Sequence, residues 1–398
     1  MPPHLPLNNV TLPPSIGFDA IAEMESRLAA VLTKVRSAML APTSEKVSPI
    51  FNLSQLSQIV GIEKNKISYR IKKGDLPAGT LSASGSKREW TLPEVQAWAR
   101  EYRANKLRPV AAAVTITVAN FKGGVAKTTT AATLAQGLSL RGHKVLIVDT
   151  DPQGSLTELF GIIPSEIGIE QTVLPLYHGT EQTLEYAVRP TYWSGVDIVS
   201  ASPIVFEAEF SLPFRQMNEK NFEFWGLLDA GLESLRDKYD VIIIDTPPSL
   251  SYSTVNALMA ADGLVMPIPP NTLDFVSSAQ FWRLYLDTVE PLKRARGVDK
   301  HYNFINVLMT RVDKQEAASA EVRKWILSSY GDSVLTTEIP KTSIAATATA
   351  EFGTAYDVSD ALISSKTWKR AHDAYEEFVD QMEEQIIGVW AHQVKGDK

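Results

Sequence analysis

The chain has 398 residues, 44% of them hydrophobic and 21% charged, with a formal net charge of -7 and no cysteine. That length suggests two or three domains with a sizeable core, and the missing cysteines exclude disulfides, thiolate zinc sites, iron–sulfur clusters and cysteine nucleophiles. The start lacks a basic region followed by an apolar core, and no apolar run approaches the roughly 18 residues that span a bilayer. The expectation is a soluble chain of a reducing cytoplasm, neither secreted nor membrane-spanning.

After a Pro-rich lead, Ile21, Met24, Leu28, Val31, Val35 and Met39 recur at spacings of three and four. This predicts one amphipathic helix, which packs either on its own body or on another chain. A Pro/Ser-containing link from Ala41 to Pro49 follows, so residues 1–48 form a first region with a dimerisation role in view.

Residues 49–108 predict a compact helical module. Asn52 or Ser54 can cap a first helix carrying Leu53, Leu56 and Ile59, Gly61 permits a tight turn, and a second helix starts near Glu63 with Lys64, Lys66, Arg70 and Lys72. Gly74 to Pro77 ends it; a Gly/Ser tip, Lys87-Arg88 and a short helix with Leu92, Val95 and Trp98 follow. Between Phe51 and Arg108 eleven Lys/Arg stand against five Asp/Glu, an excess of +6 that leaves -13 for the rest. A basic module on an acidic body suits nucleic acid, although a solvated basic surface has the same composition. The order of elements resembles a MerR-type winged helix-turn-helix. That resemblance implies a reading helix in the major groove and makes Lys64, Lys66, Arg70, Lys87 and Arg88 the candidate DNA contacts.

From residue 109 to 398 short buried runs alternate with helical stretches: Val114 to Ala119, Val145 to Val148, Val241 to Ile244, Gly263 to Ile268 and Phe304 to Leu308. Such alternation predicts an α/β fold, a doubly wound and mostly parallel sheet. Gly195 to Asn221 reads only as a strand followed by an irregular or helical excursion.

Three segments of this region carry chemistry. In Lys122-Gly123-Gly124-Val125-Ala126-Lys127-Thr128-Thr129, between a strand and a small-residue helix, the glycines let backbone amides turn toward phosphate oxygens and the helix start adds its dipole. Lys127 would reach the β/γ-phosphates of ATP or ADP, and the Thr128 hydroxyl would ligate Mg²⁺. Asp149 and Asp151 end the next strand, in Asp149-Thr150-Asp151-Pro152-Gln153, where ligands bind in an open α/β sheet. Asp245 stands at the tip of Val241 to Ile244, placed to hold a Mg²⁺-bound water.

The loop departs from the ordinary P-loop because Lys122 replaces its first glycine. With the aspartate segments, it resembles the deviant Walker A ATPases of the ParA/MinD superfamily. With the amino-terminal module, nearly the whole chain is similar to the large ParA proteins of DNA partition. The resemblance implies that Lys122 reaches across a dimer to the partner's nucleotide and that Asp151 positions the attacking water. It also implies that Asp149 supports Mg²⁺ from its outer shell. It implies Thr310 and Arg311 as adenine-side residues, and Lys366, Lys369 and Arg370 as a non-specific DNA surface or a merely solvated helix face. Implied partners are operator DNA, non-specific DNA, a ParB-type centromere-binding protein and a second copy, with filaments as a further assembly; a nucleoid-associated bacterial protein is expected. A nucleotide-responsive transcriptional regulator is the alternative. A MinD-like division ATPase fits less well, because the acidic Tyr375 to Gln385 segment would be repelled by an anionic bilayer.

Overall fold

A computed structural model describes residues 16–39, 46–82, 85, 87–341, 353–357 and 366–396. The amino-terminal amphipathic stretch is helix α1 (Phe18–Met39), and Ile21, Met24, Leu28, Val31, Leu32 and Val35 along it are all exposed. Contacts divide the chain after Lys46, with Val47 to Lys398 forming the second unit.

That second unit opens with β1 (Ile50–Asn52), α2 (Leu53–Val60), α3 (Lys64–Lys73), β2 (Thr80–Leu81), β3 (Arg88–Thr91) and α4 (Leu92–Tyr102). Asn52 caps α2 in a reciprocal box with Gln55, and Gly61 ends it at φ 72°, a left-handed turn that suits glycine. The three strands pair antiparallel in the order β1-β3-β2. The expected wing tip lies partly outside the described residues, at 83, 84 and 86.

The remainder is an eight-stranded sheet. Its elements are β4 (Val114–Val118), α5 (Lys127–Leu140), β5 (Val145–Asp149), α6 (Ser155–Leu159), α7 (Leu174–His178), β6 (Arg189–Pro190), β7 (Val196–Val199), α8 (Ala208–Asn218), α9 (Leu227–Leu232), β8 (Val241–Asp245), α10 (Tyr252–Ala260), β9 (Gly263–Ile268), α11 (Thr272–Arg296), β10 (Phe304–Val312), α12 (Ala317–Tyr330), β11 (Val334–Pro340) and α13 (Lys366–Gly396). The order is β11-β10-β9-β4-β8-β5-β7-β6, and only the β6–β7 pair is antiparallel. The doubly wound α/β expectation therefore holds. Gly195 to Asn221 resolves into β7, a 3-10 turn over Pro203–Glu207 and α8.

Helix α5 is buried almost all round, which its Thr, Ala and Gly residues permit. A Cβ at Gly137 would come within 2.6 Å of Val379 on α13, so only glycine admits that close crossing. The stripe Tyr375, Phe378, Val379, Met382, Ile386, Val389 and Trp390 of α13 is buried in the core, with α13 packed on β11 and α5. Among the described residues no helix is long and apolar enough to cross a membrane.

Residues 49–108 and 109–398 share one continuous hydrophobic core, from Leu56, Trp90 and Trp98 to Leu138, Trp193 and Trp390. Gln96 of α4 donates to Ser139 Oγ at 2.7 Å and to the Ser194 carbonyl at 2.6 Å. Fully buried Glu383 of α13 joins both parts: Arg103 ion-pairs with it, Lys106 Nζ lies 3.5 Å away and His143 Nε2 3.0 Å away. Burial alone would raise this carboxyl, but the hydrogen bond with His143 and the charge of Arg103 hold it down at about 2. The associated stability is present above the ordinary glutamate pKa of 4.5 and lost as pH falls toward about 2. Breaking such a pair strands a buried charge, so Arg103→Ala is expected to cost about 3 kcal/mol. Chemical denaturation at neutral pH measures it, and a loss within the noise of a surface substitution would show that Lys106 and His143 suffice.

Candidate functional site

Strands β4, β8 and β5 are neighbours, and their parallel register sets Val118 and Asp149 beside Asp245. Three sequence segments far apart in the chain thus meet at one carboxyl edge. Thr246 donates to the Val118 carbonyl at 3.0 Å and Thr150 to the Asp245 carbonyl at 2.7 Å, which ties the three strand ends together.

Between β4 and α5 the loop turns through Gly124 at φ 75° and Ala126 at φ 74°. Ala126 is the more telling, since a left-handed alanine costs about 1–2 kcal/mol that the surrounding fold must offset. Two left-handed residues so close to a helix start form a concave loop suited to phosphate. Lys127 is buried and donates from Nζ to the Lys122 carbonyl at 3.0 Å. Burial lowers its pKa, and Asp245 and Asp151 oppose that shift. Arg311 and Thr310 brace the loop from β10: Arg311 Nη1 donates to the Gly124 carbonyl at 2.7 Å and Thr310 Oγ1 to the Val125 carbonyl at 3.0 Å. Arg311 is itself left-handed at φ 54°.

The three aspartates differ in their surroundings. Asp149 accepts from the Asp151 amide at 3.1 Å, the Thr157 amide at 2.9 Å and the Thr157 hydroxyl at 2.7 Å. Burial pushes it up to about 7 against those donors. Its carboxylate therefore holds α6 and the turn over residues 150–154 to the strand end, a duty its motif did not indicate. Asp151 is nearly buried and accepts from the Gln153 amide at 2.9 Å; burial raises its pKa, opposed by that hydrogen bond and by Lys127. The turn needs Gly154, at φ 64°, because a Cβ there would meet Pro164 at 2.8 Å.

Asp245 is fully buried, and neither carboxylate oxygen has a hydrogen-bond partner among the described residues. Burial and then Asp149 drive its pKa well up, while the nearby Thr128 hydroxyl and Lys127 pull it down. An orphaned buried carboxylate beside a threonine hydroxyl and a lysine suits a hydrated Mg²⁺ on a nucleotide. Thr128 would bind the ion directly and Asp245 would hold one of its waters. Raised carboxyls favour the fold below their ordinary pKa of 3.8, and that support is lost as pH rises through the raised value. Nucleotide-free Asp245→Asn is therefore expected to melt several degrees above the parent at about pH 8, with the gap closing toward about pH 5. Thermal melts across that range check it; equal melting at both ends would mean that Asp245 has other compensation.

Lys122 Nζ lies 2.7 Å from Asp274 Oδ1, in the first turn of α11. The DNA candidates are not brought to this site. Lys64, Lys66 and Lys87 are exposed. Arg70 is held by Asp75 and Glu101, each at 3.0 Å, and Tyr102 at 3.1 Å, while Arg88 donates to the Ala78 carbonyl at 2.8 Å. Both arginines thus brace the module, and surface composition gave no sign of it. Lys366, Lys369 and Arg370 stand exposed at the start of α13.

This parallel sheet with a lysine-led phosphate loop and carboxylates at adjoining strand ends defines a P-loop protein of the deviant Walker A class. A family model described as an AAA domain matches residues 113–293. The chain is 30% identical over 395 residues to a putative replication protein A of Rhizobium rhizogenes, covering 95% of this chain and 97% of that one. It is 33% identical over 232 residues to the chromosome-partitioning ATPase Soj of Thermus thermophilus, covering 57% of this chain and 80% of Soj. Among solved structures, a partition protein aligns at TM-score 0.64 with 18% identity over 92% of this chain and 98% of its own, a likeness of fold. Cobyrinic acid a,c-diamide synthase from Mycobacterium smegmatis, bound to an ATP analogue and magnesium, aligns at TM-score 0.53 with 29% identity over 67% of this chain and 93% of that one. The chain belongs to the ParA-type family of partition ATPases.

Proposed function

We propose that the chain is a Mg²⁺-dependent ATPase that pairs two copies around two ATP molecules, binds DNA in that state, and hydrolyses ATP when a ParB-type centromere-binding partner stimulates it, so that a replicon is segregated. The observation that carries this reading is the orphaned Asp245 carboxylate beside Lys127 and Thr128. ATP would supply the transferred phosphoryl group, and a Mg²⁺ held by Thr128 and, through water, by Asp245 would neutralise charge on it. Lys127 and the loop amides bind the phosphates, Asp151 orients water, Asp149 fixes the turn over residues 150–154, and Lys122 adds a cation from the second subunit. Thr310 and Arg311 shape the wall of the loop on the side assigned to adenine.

Residues 49–108 act in this reading as a winged helix-turn-helix on an operator, with Lys64, Lys66 and Lys87 as its exposed cations, Lys66 lying over the Tyr102 ring, and Arg70 and Arg88 as braces. Residues 1–48 help pair two chains through the exposed face of α1. Lys366, Lys369 and Arg370 supply ATP-dependent, non-specific DNA binding on a nucleoid in a bacterial cytoplasm. The alternative, a nucleotide-responsive regulator, draws support from α4 packing against the far end of α5, the helix that starts at the phosphates.

Point substitutions test the two DNA modes better than truncation, since removing residues 1–108 would strip a shared core and strand Glu383. Lys64→Ala with Lys87→Ala is expected to weaken operator binding and spare random duplex. Neutralising Lys366, Lys369 and Arg370 is expected to do the reverse, flattening the salt dependence by about one unit of log–log slope per lost phosphate contact. Anisotropy titrations on both duplexes across a salt series, with ATP and ADP, measure this; parallel loss of both modes would point to one composite DNA surface.

A further inference from the structure

Asp274 has a place in the site that the phosphate-binding motifs do not account for. It lies in the first turn of α11, nearly buried, and its amide donates to the Asn271 side chain at 3.0 Å. The Asn271 amide group in turn donates to Asp274 Oδ2. Oδ1 has no hydrogen bond beyond its ion pair with Lys122 Nζ at 2.7 Å, among the described residues.

Lys122 is fixed by its backbone and held separately by its side chain. Its amide donates to Asn120 Oδ1 at 3.1 Å and its carbonyl accepts from Lys127 Nζ. The ammonium alone rests on Asp274, so it can leave by side-chain rotation without disturbing the phosphate loop. The carboxylate left behind keeps its Asn271 bond and the favourable field of a helix amino terminus, which softens the loss of its cation. An ammonium held at Asp274 cannot at the same time meet the phosphates of a facing subunit.

We propose that Asp274 is a positioning residue that parks Lys122 within its own subunit, so that two copies pair only when a facing triphosphate outcompetes this carboxylate. The proposal rests on the reading that Lys122 acts across the pair. Asp274 thereby sets the threshold of ATP-driven dimerisation and discriminates against ADP, whose smaller charge competes less well.

Sedimentation velocity of the full chain with Mg-ATP and Mg-ADP tests it, using Asp274→Asn, Asp274→Ser as a second uncharged polar replacement that keeps the backbone amide bonded to the Asn271 cap, Lys122→Ala and the double variant Lys122→Ala/Asp274→Asn. Binding of a fluorescent ADP confirms an intact loop in each. Asp274→Asn and Asp274→Ser should dimerise in ATP at roughly tenfold lower protein concentration than the parent. Per-dimer turnover at saturation should be unchanged, and Asp274→Asn should add nothing in the Lys122→Ala background. A Lys122→Ala defect combined with unmoved or weakened dimerisation in the Asp274 variants would leave the cross-subunit reading standing and overturn the latch. Parent-like dimerisation by Lys122→Ala would remove that reading and the latch with it.

Discussion

Lys127→Ala is expected to lower affinity for both ATP and ADP on the order of a hundredfold or more, because a charge-assisted contact to phosphate is removed at a site that excludes water. Lys127 is buried with its ammonium on the Lys122 carbonyl and within the field of Asp245 and Asp151. Without it, two carboxylates face incoming phosphates with no buried cation between them. Those carboxylates can take up protons, so the variant should remain folded while binding fails. Lys122→Ala should behave differently, retaining ADP binding because its ammonium lies on Asp274 while the backbone carbonyl that holds Lys127 is kept by alanine. Calorimetric titration of both nucleotides against both variants measures the contrast. Equal losses in the two would mean that the lysines act as one local charge.

Asp151→Ala is expected to bind ATP nearly as the parent does and to turn over a hundredfold or more slowly, since orienting water contributes to the transition state much more than to nucleotide binding. The choice of Asp151 over its neighbour follows from hydrogen bonding. Asp149 has its oxygens engaged by Thr157 and the Asp151 amide, whereas among the described residues the Asp151 carboxylate accepts one hydrogen bond, from the Gln153 amide. A stalled hydrolysis step should also prolong the paired, DNA-bound state. Single-turnover phosphate release with a parallel DNA dissociation measurement checks both parts. Unchanged turnover would assign water positioning to another group.

What could be read from the residues was local in sequence. The strand, lysine-led loop and helix around Lys122 to Thr129 follow one another without interruption, and β-branched runs end at Asp149 and Asp245, so the sheet edge and its phosphate site were legible. Pairings between distant segments were not. Lys122 and Asp274 come together because β9 pairs with β4, a register that no pattern in either segment encodes. Glu383 sits in the acidic Tyr375 to Gln385 stretch, whose composition bears only on the bilayer, yet the crossing over α5 buries it against His143 and Arg103. Arg70 has the spacing of a groove-reading side chain and is held by Asp75, Glu101 and Tyr102. The sharing of one core by the amino-terminal module and the ATPase body likewise depends on packing that periodicity cannot show.

The coupling of nucleotide to pairing through Lys122 is the centre of this reading. Phosphate release by the purified full chain, followed as a function of protein concentration with Mg-ATP, alone and with DNA and a ParB-type partner, tests it most directly. The expected result is slow hydrolysis that rises more steeply than linearly with protein concentration, is stimulated by DNA and partner together, and becomes shallow and unstimulated in Lys122→Ala. A rate strictly proportional to protein concentration, with Lys122→Ala indistinguishable from the parent, would contradict it.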